Sequence, residues 1–186
     1  MSIDANEPSP AALRAGDEVA WRELVRRWDG PLRAYLYRLG GDFHEADELA
    51  AETFANAWRA RASIRDSGKT STWLFFIATN LRRNRRRWWR RRLNWLVGMD
   101  DDFPEARDDA PAPNDAAVCD ERAAAVRRAV AELPEKLRAP LVLARFEGLP
   151  HAEIAAILGC SPKVVEHRVA EALRVLRKRL GALAQA

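Results

Sequence analysis

The sequence predicts an all-α protein of two small helical domains joined by a flexible linker. Apolar residues recur every three or four positions through most of its 186 residues, which is the spacing of amphipathic helices. Alternating apolar and polar runs, which are typical of strands, are nearly absent. A stretch rich in proline and aspartate, MDDDFPEARDDAPAPND, interrupts the helical pattern and is typical of a linker.

The first predicted domain covers residues 8–98 and contains four main helices. Two of them lie between residues 17 and 39 and are separated by the Gly30-Pro31 pair, because both residue types interrupt helices. A third, at about 45–61, directs toward the core Leu49, Thr53, Phe54, Ala57 and Trp58. The fourth starts near Thr72, after the loop SIRDSGKTS, and its inward side consists of Trp73, Leu74, Ile77, Ala78 and Leu81.

The linker is expected over residues 99–116, and the second domain over residues 117–186. The apolar spacing predicts helices at 117–133, 135–147, 151–158 and 162–180. Pro140 falls inside the second of these helices and is expected to kink it, because proline lacks the backbone N–H that a helix needs.

The sharpest local motif is a helix-turn-helix in residues 151–180. A short helix ends at the Gly159-Cys160 turn, and a second begins with Ser161 as N-cap and Pro162 at its first position. The second helix would bury Val165, Val169, Ala172, Leu176 and Leu180. Its outward side would carry Lys163, Glu166, His167, Ala170, Glu171 and Arg174, as a recognition helix in the major groove requires. A helical hairpin in a bundle, with solvated charges, is the alternative interpretation.

The net charge of +4 conceals a segregation of charge along the chain. Residues 73–98 hold eight arginines and no acid, and residues 100–115 hold seven acids against one arginine. The densest part, RRNRRRWWRRRLNW, suits a nucleic-acid track, a membrane-surface helix or a solvated face. Asn80, Asn84 and Arg87 share an outer stripe of this helix, which lets amides meet base edges while arginines neutralise phosphates. Trp88 and Trp89 are expected to pack back on the domain.

Several classes of function are disfavoured. Cys119 and Cys160 are too few and too far apart for a disulfide framework. No apolar run reaches the roughly 18 residues needed to span a bilayer, and the N-terminus lacks the features of a signal peptide, so a cytoplasmic protein is expected. The scattered histidines predict no metal site. SGKT at 67–70 is a false match to a phosphate-binding loop, because no strand precedes it, and we expect neither a catalytic site nor a cofactor.

The chain resembles the bacterial RNA polymerase sigma factors of the extracytoplasmic-function (ECF, group IV) family. Region 2 of that family is similar to GDFHEADELAAETFANAWRA followed by TSTWLFFIATNLRRN, and region 4 to ELPEKLRAPLVLARFEGLPHAEIAAILGCSPKVVEHRVAEAL. The second block alone is also similar to LuxR-type regulators, so the ordered pair is the more specific signal. The resemblance implies a subunit that binds core RNA polymerase, the duplex minus-35 element and the melted strand of the minus-10 element. It also implies an anti-sigma factor as partner and no small-molecule substrate.

The resemblance further assigns residues to each partner. The residues expected to contact the minus-10 element are Asn80, Arg83, Asn84 and Arg87 of the fourth helix. Ser63 and Lys69 lie in the loop expected to hold a flipped base. The residues expected to contact the minus-35 element are Ser161, Lys163, Glu166, His167, Arg168, Ala170, Glu171 and Arg174. Those expected to contact core polymerase are Asp47, Glu48, Ala51 and Glu52, although Ala51 stands where glutamine is usual. Glu166 and Glu171 stand where the family often has basic or small polar residues, which predicts an unusual minus-35 sequence.

Two other functions remain open at the level of sequence. One is a two-domain helix-turn-helix regulator that binds DNA without core polymerase. The other is a membrane-surface protein with the segment WWRRRLNWLV in the headgroup layer, which would leave the helix-turn-helix unexplained. Stoichiometric binding to core polymerase distinguishes the sigma factor from both.

Overall fold

The computed structural model describes residues 7–40, 42–66, 69–97 and 121–183, and these residues form helices without any strand. The prediction of an all-α fold is therefore confirmed. An N-terminal group contains α1 (Pro10–Ala15), α2 (Glu18–Arg38), α3 (Phe43–Arg59), a 3-10 turn (Arg61–Ser63) and α4 (Thr70–Val97). A C-terminal group contains α5 (Glu121–Ala131), α6 (Glu135–Arg145), α7 (His151–Leu158) and α8 (Pro162–Leu183). The predicted linker, residues 99–116, lies outside the described residues.

One expected break is absent, because α2 runs continuously through the Gly30-Pro31 pair. A proline inside a helix costs about 3 kcal/mol. The helix nevertheless buries one stripe on both sides of the pair, consisting of Trp21, Leu24, Trp28, Leu32, Tyr35 and Leu36. Full burial of each large apolar side chain contributes about 1.5–3 kcal/mol, so the continuous stripe offsets the cost of the proline. Asp17 starts the helix by accepting a hydrogen bond from the backbone N–H of Ala20, at 2.8 Å.

Phe75 of α4 lies at the centre of the N-terminal core, although the predicted inward stripe omitted it. Its ring meets the rings of Trp28 and Tyr35 edge-on, with centroids 5.9 and 5.1 Å apart. The Tyr35 hydroxyl is 2.8 Å from the Thr79 hydroxyl, and burial raises the pKa of Tyr35 to about 12. The helices α2 and α4 are thus joined around one ring, and this fixes which side of α4 faces outward. Leu74 is also buried, as predicted.

The packing of α3 differs from the prediction at its C-terminal end. Leu49, Thr53 and Ala57 are buried as expected, whereas the side chain of Trp58 is 40% exposed. Its indole packs edge-on against Trp21 at 5.0 Å. The buried stripe of α3 therefore ends at Ala57, two residues before the helix does. The aromatic residue that follows covers the side of α2 instead of entering the core.

The helix-turn-helix forms as predicted. Gly159, at a φ of +66°, ends α7 in the left-handed conformation that glycine adopts without strain, and α8 begins at Pro162. The backbone N–H of Val164 lies 3.4 Å from the Ser161 hydroxyl, a long cap. The inward side of α8 is buried at Val165, Val169, Ala172 and Leu176, and half-buried at Leu180. Pro140 lies buried within α6, which continues around it.

Candidate nucleic-acid interface

The outward side of α4 presents amide and guanidinium groups. Asn84 and Arg87 are exposed, while Asn80 and Arg83 are half-buried. These residues lie within two turns of the helix, over about 10 Å. An amide offers both donors and an acceptor, whereas a guanidinium offers donors only. The stripe can therefore meet the edges of bases and also phosphate oxygens.

Beyond this stripe, α4 ends in exposed tryptophan and arginine side chains. Trp88 and Trp89 are 48% and 51% exposed, so the expectation that they pack back on the domain is wrong. They contact each other edge-on, with ring centroids 4.9 Å apart, and the guanidinium of Arg92 lies 5.2 Å from the ring centre of Trp88. The physical reason is that, among the described side chains, the apolar stripe of α4 that packs against the core ends at Leu81.

The loop before α4 is held by a residue that the sequence pattern does not indicate. Arg14 of α1 donates to the Ile64 carbonyl at 2.9 Å and to the Asp66 carboxylate at 2.6 Å. Ser63, a predicted base-holding residue, is exposed and donates to the Ala60 carbonyl at 2.7 Å. The predicted Lys69 is also exposed. Nothing in the local pattern indicated Arg14, which lies about fifty positions earlier in the chain.

The acidic side of α3 is exposed at all four predicted polymerase contacts: Asp47, Glu48, Ala51 and Glu52. Two of its carboxylates already have arginine partners within the chain. Asp47 pairs with Arg33 at 2.7 Å, and Glu48 pairs with Arg85 of α4 at 3.0 Å. Glu52 makes no ion pair among the described residues. A partner that docks on this side must therefore compete with Arg33 for Asp47 and with Arg85 for Glu48. It can contact Glu52 without displacing an ion pair among the described residues.

Arg33 binds two carboxylates at once. It pairs with Asp29 one turn earlier, at 2.9 Å, and with Asp47 on the neighbouring helix. The hydrogen bond and charge of Asp29, followed by those of Asp47, raise the pKa of Arg33 above its ordinary value. The arrangement orients Asp47 along α3, although such exposed pairs contribute little to folding.

The predicted recognition helix α8 presents a continuous polar surface. Its predicted contacts are exposed at Ser161, Lys163, Glu166, His167, Ala170 and Arg174, and half-buried at Arg168 and Glu171. His167 Nε2 and Glu171 Oε2 lie 3.9 Å apart. Glu166 makes no ion pair or hydrogen bond among the described residues, so its carboxylate is available to a partner. The first turns of α8 thus carry donors and acceptors of the kind that read the major groove.

Comparison with known proteins bears directly on these surfaces. The model of sigma-70 region 2 matches residues 24–92, from α2 through most of α4. The model of sigma-70 region 4 matches residues 123–176, which include the helix-turn-helix. The RNA polymerase sigma-H factor of Pseudomonas aeruginosa is 32% identical over 173 residues, covering 90% of each chain. The ECF RNA polymerase sigma factor RpoE of Cereibacter sphaeroides is 30% identical over 170 residues, covering 88% of each.

The chain belongs to the ECF sigma-factor family. The fold of this sigma factor also resembles that of the sigma factor RpoE of Bartonella quintana, solved in complex with the anti-sigma factor NepR. The TM-score is 0.70 at 23% identity, with 86% of this chain and 96% of the other covered.

Membership of the family decides between the functions that the sequence left open. The sigma factor is an alternative transcription initiation subunit of RNA polymerase, and a regulator acting without core polymerase is not favoured, because region 2 is matched in addition to the helix-turn-helix. In the described part of the chain, no helix is both long enough and apolar enough to cross a bilayer. The same residues contain no cluster of three metal-ligating side chains.

Proposed function

We propose that this sigma factor docks on core polymerase through α3, reads the minus-10 element through α4 and reads the minus-35 element through α8. The observation that carries the proposal is the exposure of three chemically distinct surfaces on three helices of a chain matched by both sigma regions. One surface is acidic, one combines amides with arginines, and one is a recognition helix.

The α4 surface suits a melted strand. Asn80 and Asn84 can exchange hydrogen bonds with the exposed edges of unpaired bases. Arg83 and Arg87 supply charge to phosphates without sequence preference. Ser63 and Lys69, in the loop held by Arg14, lie beside this helix and are proposed to hold an extruded base. The exposed indole of Trp88, one turn after Asn84, extends this side of α4 with a ring on which a base can stack.

The α8 surface suits duplex DNA. Glu166 can accept a hydrogen bond from the N4 amino group of cytosine, while Lys163 favours guanine or a phosphate. Ser161, at the start of α8, lies where a backbone phosphate approaches a helix N-terminus. Arg168 and Arg174 are proposed to neutralise phosphates, and His167, Ala170 and Glu171 complete the surface. The carboxylates make this recognition helix less basic than the arginine-rich end of α4. Its preferred minus-35 sequence is therefore expected to differ from the sequences read by more basic recognition helices of the family.

The α3 surface suits a basic partner. Asp47, Glu48 and Glu52 are exposed on consecutive turns, with Ala51 between them leaving room for close approach. Electrostatic complementarity at such a rim speeds encounter and fixes orientation. An anti-sigma factor, as the family resemblance predicts, would regulate access to these surfaces.

The domain boundaries form part of the proposal. Residues 8–98 and 117–186 are taken as two folding units and residues 99–116 as an acidic linker. Because an exposed segment rich in proline and aspartate is cut before packed helices, limited proteolysis should cleave first between residues 99 and 116. Two helical fragments should result. Resistance of this segment to a panel of proteases would argue for one continuous domain.

Run-off transcription tests the proposed function. The purified chain is added to core RNA polymerase on a library of genomic fragments, and the transcripts are sequenced. The proposal predicts transcripts that start downstream of one shared pair of promoter elements. Transcripts identical to those of core enzyme alone would refute it.

A further inference from the structure

The short helix α1 contacts the loop in which the base-holding residues are proposed. The six residues of α1 are too few to form a stable helix alone, so packing determines its position. Leu13 is fully buried, and its carbonyl accepts a hydrogen bond from the indole N–H of Trp21 in α2, at 2.9 Å. The 3-10 turn Arg61–Ser63 packs against both α1 and α3. α1 is therefore fixed to the N-terminal core on one side and contacts the start of the loop on the other.

Arg14, in the last turn of α1, binds the loop at two points. Its Nη1 donates to the Ile64 carbonyl at 2.9 Å, and its Nη2 donates to the Asp66 carboxylate at 2.6 Å. The Arg14 side chain is 30% exposed, and Ile64 is buried. A guanidinium is planar and holds its donors in a fixed fork. The two acceptors, which lie two residues apart, are therefore held at a fixed separation, and this defines the path of the backbone between them.

Aromatic side chains fix the start of the same loop. The guanidinium of Arg61 lies 4.7 Å from the ring centre of Trp58, and its Nη1 donates to the Trp58 carbonyl at 3.0 Å. The Trp58 ring packs edge-on against Trp21, the residue whose indole N–H binds α1. The loop is thus held at its start by two tryptophans and further along by Arg14.

The advantage of this arrangement is that the loop is ordered before it binds. Such a loop avoids the entropic cost of ordering during binding, and extrusion of a base already costs the stacking of that base. Both terminal amino groups of Arg14 are bonded inside the chain. The exposed Arg87 of the α4 stripe, by contrast, makes no ion pair among the described residues. Arg14 is therefore suited to shape the loop, and Arg87 is suited to bind phosphates.

We propose that Arg14 is a positioning residue for promoter melting, which holds the backbone of residues 63–66 in the shape that receives an extruded base and does not itself contact DNA. The inference rests on the proposed function, because it takes this loop to be the base-holding loop. Arg14 precedes residues 24–92, which the region 2 model matches, so the match does not include it. Its loss should slow the opening of the promoter duplex and leave the first binding of that duplex unchanged, because the α8 surface and the arginines of α4 stay intact.

Variants of the full-length chain separate geometry from charge. Arg14→Ala removes both hydrogen bonds and one positive charge. Arg14→Lys keeps the charge, but a single amine lacks the fork that spans two acceptors, so it should restore only part of the effect. The matched control, Arg26→Ala, removes the same charge and breaks an ion pair within α2, that of Arg26 with Glu23 at 3.5 Å. Circular dichroism should show equal helical content in all of these proteins.

Amide hydrogen exchange in the free protein tests the loop itself. The backbone N–H of Ile64 donates to the Arg61 carbonyl at 3.2 Å, so its exchange reports local opening of the loop. Arg14→Ala should speed this exchange at least about fivefold, because it removes two hydrogen bonds from a charged group. Arg14→Lys should lie between the alanine variant and wild type, and the control should equal wild type.

Promoter opening is measured with the polymerase holoenzyme on a promoter from the run-off library. A fluorescent adenine analogue in the minus-10 element reports when its base leaves the stack. At saturating holoenzyme, Arg14→Ala should open the duplex at least about fivefold more slowly than wild type, with Arg14→Lys between them. The affinity of the initial closed complex and its dependence on salt should be unchanged, because no phosphate contact is lost.

Each alternative result has a distinct meaning. An unchanged opening rate, or slow opening without faster exchange at Ile64, would overturn the positioning role. A weaker closed complex with a shallower salt dependence would show that Arg14 binds a DNA phosphate, and this would overturn the positioning role as well. Wild-type holoenzyme that opens no promoter would instead refute the proposed function, and that result is read from the wild type alone.

Discussion

Glu166 offers the most specific test of base reading by α8. Its carboxylate is exposed and has no partner among the described residues, so replacing it should change the free energy of unfolding by no more than about 0.5 kcal/mol. If it accepts a hydrogen bond from cytosine, Glu166→Ala should lose about 1–3 kcal/mol of discrimination at one minus-35 position. That corresponds to a roughly 5-fold to 150-fold relaxation of preference.

The assay is a selection of randomised minus-35 elements by the polymerase holoenzyme carrying wild type or variant. Glu166→Gln serves as a matched control, because it removes the charge but keeps an amide that prefers adenine. We expect alanine to relax the preference and glutamine to shift it from cytosine toward adenine. Identical preferences in all three proteins would show that Glu166 is only a solvated charge, and uniformly tighter binding by both variants would show that it acts only by repelling phosphates.

Three further predictions concern the other surfaces. Glu52→Lys should weaken binding to core polymerase more than Glu48→Lys, because Glu48 is already paired with an arginine of α4. Fluorescence titration with labelled core enzyme measures the two affinities. Equal effects of the two substitutions would argue against docking through this side of α3. Arg91→Ala with Arg92→Ala should weaken binding to DNA of every sequence. Titration at several salt concentrations should show the slope of log affinity against log salt lowered by up to about two. An unchanged slope would show that these arginines do not contact DNA phosphates. Burial raises the pKa of Glu147 above its ordinary value, so the folded chain binds this proton more readily than the unfolded chain and the group's contribution to stability is lost as pH rises through the raised pKa. Glu147→Gln should therefore be no less stable than wild type at pH 7.5 and should flatten the pH dependence on the acidic side of neutrality, as denaturant unfolding at several pH values would reveal.

The parts of the fold that follow from local pattern were predictable from sequence. The bounds of α7 and the start of α8 follow from Gly159, Ser161 and Pro162, whose backbone preferences act within a few residues. The break expected at Gly30-Pro31 was wrong, because the propensity of a dipeptide is outweighed by burial along the whole stripe of α2.

The candidate site was predictable as chemistry but not as geometry. Exposure of Asn84, Arg87 and Glu166 follows from helical periodicity. The ion pairs of Glu48 with Arg85 and of Glu153 with Lys69 join residues far apart in sequence, and no periodic pattern specifies such contacts. Trp58 was misplaced for a related reason, since a large aromatic ring at the end of a stripe can cover a neighbouring helix instead of entering the core.

Binding to core polymerase tests the central claim most directly. The purified chain is mixed with an excess of core enzyme, separated by size, and the bound fraction is assayed for transcription from the promoters that the run-off library identifies. The account predicts a one-to-one complex that starts transcripts at those promoters, and weaker complex formation by Glu52→Lys. A chain that remains separate from core enzyme while binding duplex DNA by itself would contradict it.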